Sequence, residues 1–167
     1  LGFLISSGNI DSMVNHYSVS KKRRKKDSYS NNGEMGHRPD RAVIVYSQKV
    51  RQAYPDATIL IGGIEASLRR LAHYDYWDDK VRKSILVDAG ADLLMYGMGE
   101  NSIIEIAEAL DSGLEARYLT YLDGTVFKVK TMSCYLLIMI LLMIKENMRN
   151  LLVFNIAILI ITMRKHW

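Results

Sequence analysis

Cysteine is almost missing from this sequence: Cys134 is the single one in 167 residues. That excludes an intrachain disulfide and any centre built from several thiolates of this chain, an iron–sulfur cluster among them. Histidines at ligand spacing are missing too, since His16 and His73 each stand without a partner that would make a metal site. No charged segment followed by an apolar stretch and a small-residue cleavage site opens the chain, so the cytoplasm is the expected compartment. No apolar run reaches the roughly 20 residues that a helix needs to cross a bilayer core. The net charge is only +4, much of it from the run at 21–26, so overall basicity says little about partners.

What is present suits one ordinary core, given this length and a hydrophobic content of 49%. Residues 1–5 are apolar and run into Ser6, Ser7 and Gly8, which reads as a buried strand entering a loop. Residues 21–38 are basic and then rich in Asn, Ser and Gly, the composition of a solvated connection. Pro39 suits a first helical turn, and Val43, Tyr46, Ser47, Val50 and Tyr54 then recur at helical spacing until Pro55 and Asp56 stop the helix. The apolar run 58–61 ends at Gly62 and Gly63, the pattern of a buried parallel strand. A further helix around 81–88 leads to a second such strand at 91–96, closed by Gly97, Met98, Gly99 and Glu100. Asn101 is placed to cap a helix with Ile103, Ile106, Ala107 and Leu110 on one face and Gly113 as its stop. Residues 118–121 and 125–129 read as short extended segments around Asp123 and Gly124. Strands alternating with helices predict an α/β fold with a doubly wound, mostly parallel sheet.

In such sheets ligands sit beyond the carboxyl ends of the strands, where loops present backbone N–H groups and helix amino termini. Gly62, Gly63, Gly97 and Gly99 fall there, with Glu65 and Glu100 just behind them. Glycine pairs alone are weak motifs, and tight turning explains them equally well. Between 65 and 79 the chain packs Glu65, Arg69, Arg70, His73, Tyr74, Asp75, Tyr76, Trp77, Asp78 and Asp79 into a short span. Such a density suits a pocket lining or a docking face, and equally a surface helix end held by ion pairs and half-buried rings. The run Lys21, Lys22, Arg23, Arg24, Lys25 and Lys26, flanked by Tyr17 and Tyr29, has the chemistry to grip phosphates, although a solvated loop is the simpler reading.

The segments LISSGNIDSMVNHY, KKRRKKDSY, RPDRAVIVYSQKVRQAYP, ILIGGIEASLRRLAHYDYWDDKVRKSIL and ADLLMYGMGE together resemble the amino-terminal domain of YgiQ-type radical SAM proteins, from Leu1 to about Lys128. Within that match, GGIEASLRR followed by HYDYW is the most specific part. The resemblance implies a cobalamin-binding-like, flavodoxin-like layer, incomplete at both ends, ahead of a catalytic barrel that would be its partner. It also implies a parent enzyme that holds a four-iron four-sulfur cluster through a CxxxCxxC motif and cleaves S-adenosylmethionine. Neither that motif nor the Asp-x-His-x-x-Gly pattern of a cobalamin-ligating histidine occurs in this chain.

Composition shifts at about Ser133, where apolar runs at 134–144 and 151–161 flank a polar stretch. Back-translated with AT-rich codons and read two bases later, residues 134–147 give a polar segment like the one that follows this domain in the family. The expected organisation is therefore a partial accessory domain at 1–130 and a frame-shifted tail at 131–167 without evolved structure. The expected function is an accessory domain that is inert alone, with no cofactor of its own, no nucleic acid and no membrane among its partners. No residue takes a catalytic role; Gly62, Gly63, Glu65, Gly97, Gly99 and Glu100 are the first candidates for a pocket or domain interface, with Arg69, His73, Tyr74 and Trp77 behind them. The alternatives are a nucleic-acid-binding module using the run 21–26 and a membrane hairpin built from 134–161.

Overall fold

A computed structural model describes residues 2–128. The expectations placed on Leu1, Val129, Cys134 and the apolar tail lie outside the described residues.

The two apolar runs at the glycine loops are strands, as their length and burial require. Strand β1 (Gly2–Ile5) lies parallel to β2 (Thr58–Ile61), which lies parallel to β5 (Leu93–Met95). A fourth strand, β6 (Thr125–Phe127), pairs antiparallel with β5, so the sheet is mixed and runs in the order β1-β2-β5-β6. The extended residues near 125 were thus expected correctly, but their partner is β5 and not the segment 118–121. That segment holds the end of a 3-10 turn (Ala116–Tyr118) and then Leu119, which is buried in the core.

Side chains alternate across a strand, and the alternation here feeds two cores. Ile5, Ile59, Ile61 and Leu94 point to one face, where helix α2 (Ala42–Ala53) contributes Val43 and the short helix α4 (Ile85–Asp88) contributes Ile85 and Leu86. Leu60, Leu93 and Met95 point to the other face, against Ile106 of α5 (Glu100–Asp111) and against Leu119 and Leu122. Helices therefore cover both faces, which explains why β2 and β5 read as continuous apolar runs rather than alternating ones. Each fully buried Leu or Ile contributes about 1.5–3 kcal/mol relative to exposure. Leu4 of β1 remains exposed, because nothing among the described residues covers that face of the outer strand.

Three expectations about helix limits are corrected. Pro39 lies ahead of α2 rather than in its first turn; Arg41, in the left-handed region with φ 52°, is the N-cap. Asn101 lies inside α5, whose N-cap is Gly99. The helix expected around 81–88 starts only at Ile85, because the Ser84 hydroxyl accepts from Leu86 N and sets its beginning there. Residues 80–82 form β4 (Lys80–Arg82) instead, antiparallel to β3 (His73–Asp75) in a separate two-stranded hairpin. Two further helices were not foreseen: α1 (Ser12–His16), capped by Asp11, and α3 (Gly63–Leu68) directly after β2.

The connection between α1 and α2 is more ordered than a solvated loop. Residues 17 and 23 form a β-bridge, Ser18 N donates to Lys22 O and Arg24 N to His16 O, so the basic run begins as a small hairpin. Asp27 then closes the next turn: it is buried, and its carboxylate accepts from Tyr29 N at 2.9 Å and Ser30 Oγ at 2.8 Å. Burial alone would raise its pKa, but these hydrogen bonds hold the carboxyl down at about 2. At the amino edge of the sheet, Arg51 donates to the carbonyls of Pro55 and Ala57 and to Asp92, whose carboxylate also accepts from Ile59 N.

Candidate functional site

The carboxyl ends of β1, β2 and β5 bring three loops side by side. Gly62 follows β2 in extended conformation, its N–H donates to Ile5 O at 3.0 Å, and a Cβ there would stand 3.6 Å from Met95 O. Gly63 adopts φ +80° and presses on the loop after β1, since an added Cβ would lie 3.2 Å from Cβ of Ser6. Gly97, at φ +72°, donates its N–H to Ser67 Oγ of α3 at 3.3 Å, and Gly99 caps α5 beside Met95. Glu100 begins α5 and is exposed. Ile64 and Leu68, one turn apart on α3, and Met98, which is 89% exposed, give this edge an apolar rim. Five of the candidates, Gly62, Gly63, Gly97, Gly99 and Glu100, therefore share one edge of the sheet.

Glu65 does not join them. It is 1% exposed and turns inward, where Oε2 accepts from Ser12 N at 2.9 Å and Oε1 from Val43 N at 3.1 Å. These are donors from the first turns of α1 and α2, groups that have no partner within their own helices. One carboxylate thus ties two helix amino termini to α3. Ser12 Oγ completes the joint by accepting from Ala42 N at 3.1 Å. Arg69, one turn after Glu65, pairs with Asp11, whose other oxygen caps α1 by accepting from Met13 N and Val14 N. Burial depresses the pKa of the Arg69 guanidinium.

Beside this joint lies an ion network on the β3–β4 hairpin. Asp75 is buried and meets Arg41 Nη2 at 2.7 Å and Arg82 Nε at 2.8 Å; Asp78 meets Arg41 at 3.1 Å and also pairs with Arg82. Although burial opposes it, the hydrogen bond from Arg41 and its charge keep the Asp75 carboxyl below the usual carboxylate range. For Asp78 the hydrogen bond from Arg82 acts first in the same direction. His73 lines the narrow cleft between Arg41, Glu65, Arg69 and Asp75, which has room for about one water. Its Nδ1 lies 3.2 Å from Leu71 O. Tyr74 and Trp77 stand on the outer side: the Tyr74 hydroxyl donates to Asp79, and the Trp77 ring packs on Tyr17 with centroids 4.5 Å apart. The ten sequence candidates accordingly separate into an exposed sheet edge, a buried joint and an outer aromatic face.

Sequence reading passed over Asp11, Ser12, Asp40 and Arg41. Asp40 accepts from the Tyr17 hydroxyl at 2.6 Å and stands 2.6 Å from His16 Nδ1, while the buried His16 Nε2 has no partner among the described residues. The one signal for Asp11 is local, an Asp just ahead of Ser12 and Met13 in N-cap position. Among the described residues no three His, Cys, Asp or Glu side chains are gathered at metal-binding distance.

The sequence model described as Radical SAM N-terminal matches residues 1–161. The chain belongs to the radical SAM N-terminal family. It is similar to proteins named UPF0313: one from Clostridium perfringens strain SM101 is 65% identical over 127 residues, 76% of this chain and 19% of the relative. Another, from Clostridium botulinum strain Okra, is 56% identical over 135 residues, 77% of this chain and 21% of the relative. This radical SAM N-terminal chain thus spans about a fifth of the length of the curated relatives it matches. No solved structure matches it. The family resemblance read from GGIEASLRR and HYDYW is borne out, and those two segments are the joint at Glu65 and the hairpin of β3 and β4. No described helix is long and apolar enough to cross a membrane.

Proposed function

We propose that this chain is an accessory domain of a cytoplasmic radical SAM iron–sulfur enzyme, inert by itself, whose sheet carboxyl edge meets the catalytic part of its parent. The observation that carries this reading is the family match joined to the thiol count. Radical SAM chemistry requires a four-iron four-sulfur cluster and S-adenosylmethionine, and such a cluster is held by several cysteine thiolates. This chain offers one, Cys134. The carboxylates and guanidiniums of the buried joint are already paired with each other or with helix N–H groups, so they do not replace the missing ligands. The residues present do not fit the cluster, and no step of radical generation is assigned to them.

The docking surface in this reading is the edge formed by Gly62, Gly63, Gly97, Gly99 and Glu100 with the apolar rim of Ile64, Leu68 and Met98. Its support is the general placement of ligands at the carboxyl ends of parallel strands, together with apolar side chains left in solvent there, as at docking faces. A cobalamin-binding-like, flavodoxin-like layer is the finer form of the fold in this reading, favoured by the parallel β1-β2-β5 core with helices on both faces. The segment 131–167 is taken as a frame-shifted tail.

Anaerobic reconstitution of the purified chain with iron and sulfide tests the first part. Neither cluster absorbance nor 5′-deoxyadenosine from S-adenosylmethionine is expected, and a cluster formed stoichiometrically by the single chain would overturn the reading. DNA sequencing across codon 133 tests the tail: an alternative frame that continues the family's sequence is expected, and its absence removes the frame-shift account.

A further inference from the structure

The basic run carries an inference beyond the accessory role. Lys21 sits at φ 59° in the turn of the small hairpin after α1, and its Nζ donates to Trp77 O at 3.2 Å. The same ammonium lies 4.7 Å from the Tyr76 ring centroid and 5.8 Å from that of Trp77. Tyr76 returns the contact by donating its hydroxyl to Val19 O at 2.9 Å, while about half of its surface stays exposed. The hairpin is therefore fastened to an aromatic face rather than left loose.

Beyond Lys21, the side chains of Lys22, Arg23, Lys25 and Lys26 are exposed, and among the described residues none forms an ion pair. On the neighbouring surface Asp78 is paired with Arg41, Lys80 and Arg82, while Asp40, hydrogen-bonded by Tyr17 and beside His16, carries a charge that Arg23 also feels. Lys22, Arg23, Lys25 and Lys26 thus stay exposed on and just after a hairpin that Lys21 fastens beside a half-exposed ring. A surface that neutralises successive phosphates while offering a ring for a base is the combination that binds unpaired nucleic acid strands.

We propose that the hairpin at 18–24, with Lys25 and Lys26 and the Tyr76 ring, is a binding surface for single-stranded nucleic acid, in which Lys22, Arg23, Lys25 and Lys26 contact phosphates and Tyr76 stacks on a base.

The test is fluorescence anisotropy of the full 167-residue chain with a labelled oligouridylate of about 16 nucleotides, the upper site size of a small binding fold, titrated between about 50 and 200 mM salt. Wild-type affinity should fall linearly with salt on logarithmic axes. Changing Lys22, Arg23, Lys25 and Lys26 together to Ser, all at exposed positions, should weaken binding at least about tenfold at low salt and make the slope shallower by about 3, at about 0.7 per phosphate contact. Tyr76→Leu should weaken binding about fivefold or more with the slope unchanged, and Tyr76→Phe should restore it. Circular dichroism of each variant establishes that the fold is kept. The proposal is overturned if the wild type does not bind at the lowest salt, or if the quadruple variant binds as well as the wild type. Equal competition by polyglutamate would overturn it in favour of an acidic protein partner, and tighter binding to phosphatidylserine vesicles in favour of a membrane surface.

Discussion

Two loops of this domain begin alike and end in opposite places. After β2 the chain runs through Gly62 and Gly63 to Glu65, and after β5 through Gly97 and Gly99 to Glu100. Both glutamates start a helix at the carboxyl edge of a parallel sheet. Glu65 turns inward and accepts from two buried helix N–H groups, whereas Glu100 stays in solvent. The difference lies in what surrounds the second strand: α1 and α2 both aim their amino termini at the same point behind β2, and only a carboxylate there satisfies both. A glutamate beyond a glycine loop is thus either a joint or an available group, and the position of neighbouring helix ends decides which.

Substitution at the first of these positions carries the largest expected effect. Glu65→Ala leaves Ser12 N and Val43 N buried without acceptors, at about 1–3 kcal/mol each, so the loss should be about 3 kcal/mol or more. Glu65→Gln keeps one acceptor oxygen and should lose less than Glu65→Ala. Urea denaturation midpoints give both values. A Glu65→Ala chain as stable as the wild type would break the contrast between the two glutamates.

Next in size are the carboxylates that stabilise the same flank. Asp75→Asn removes the charge between Arg41 and Arg82 while keeping an oxygen for Trp77 N, and a loss of about 1–2 kcal/mol is expected because the guanidiniums are partly solvated. For Asp27 the folded pKa of about 2 lies below the ordinary value of 3.8. The sign follows from linkage: the unfolded chain binds the proton more tightly, so the stabilisation is present above that ordinary value and disappears as the pH falls through the folded one. Urea midpoints should therefore decline more steeply between about pH 4 and pH 2 for the wild type than for Asp27→Asn. Equal slopes would show that Asp27 has no such coupling.

These effects mark where the sequence was readable and where it was not. β1, β2, β5, α2 and α5 announce themselves through apolar runs or helical periodicity, because their stability comes from burying one face or both. The hairpin of β3 and β4 does not, since Val81 at its centre is exposed and the pairing is held by Arg82 with Asp75 and Asp78. The placement of Glu65 has no local signal either: its two acceptor contacts reach across 53 and 22 residues. From its neighbours in sequence it looks like the glutamate at position 100. The basic run shows its phosphate-gripping chemistry in sequence, but its attachment to Trp77 and Tyr76, more than fifty positions on, has no local signal.

The glycines sharpen the same comparison at smaller scale. Both Gly63 and Gly97 hold positive φ, so alanine at either pays the left-handed penalty of about 1–2 kcal/mol. Gly63 has Ser6 Cβ at 3.2 Å from the added methyl group, whereas nothing stands within 4 Å of one at Gly97. Gly63→Ala should consequently lower the urea midpoint more than Gly97→Ala, and the reverse order would mean that the β1 loop gives way freely.

The smallest effect belongs to Glu100. Its side chain accepts no hydrogen bond and forms no ion pair among the described residues, and α5 is anchored instead through Ile106 in the core. A negative charge in the first turn of a helix still interacts favourably with the unpaired N–H groups, by about 0.3–1 kcal/mol at low ionic strength. Glu100→Ala should therefore cost about 0.5 kcal/mol or less, and raising the salt should erase the difference, because an exposed charge is screened. Glu65 is buried between two helix ends, so salt should leave its larger effect nearly intact. Measuring both alanine variants at low and high salt separates the joint from the free edge by physics alone: a salt-resistant loss at Glu100 would place it, too, inside a buried contact.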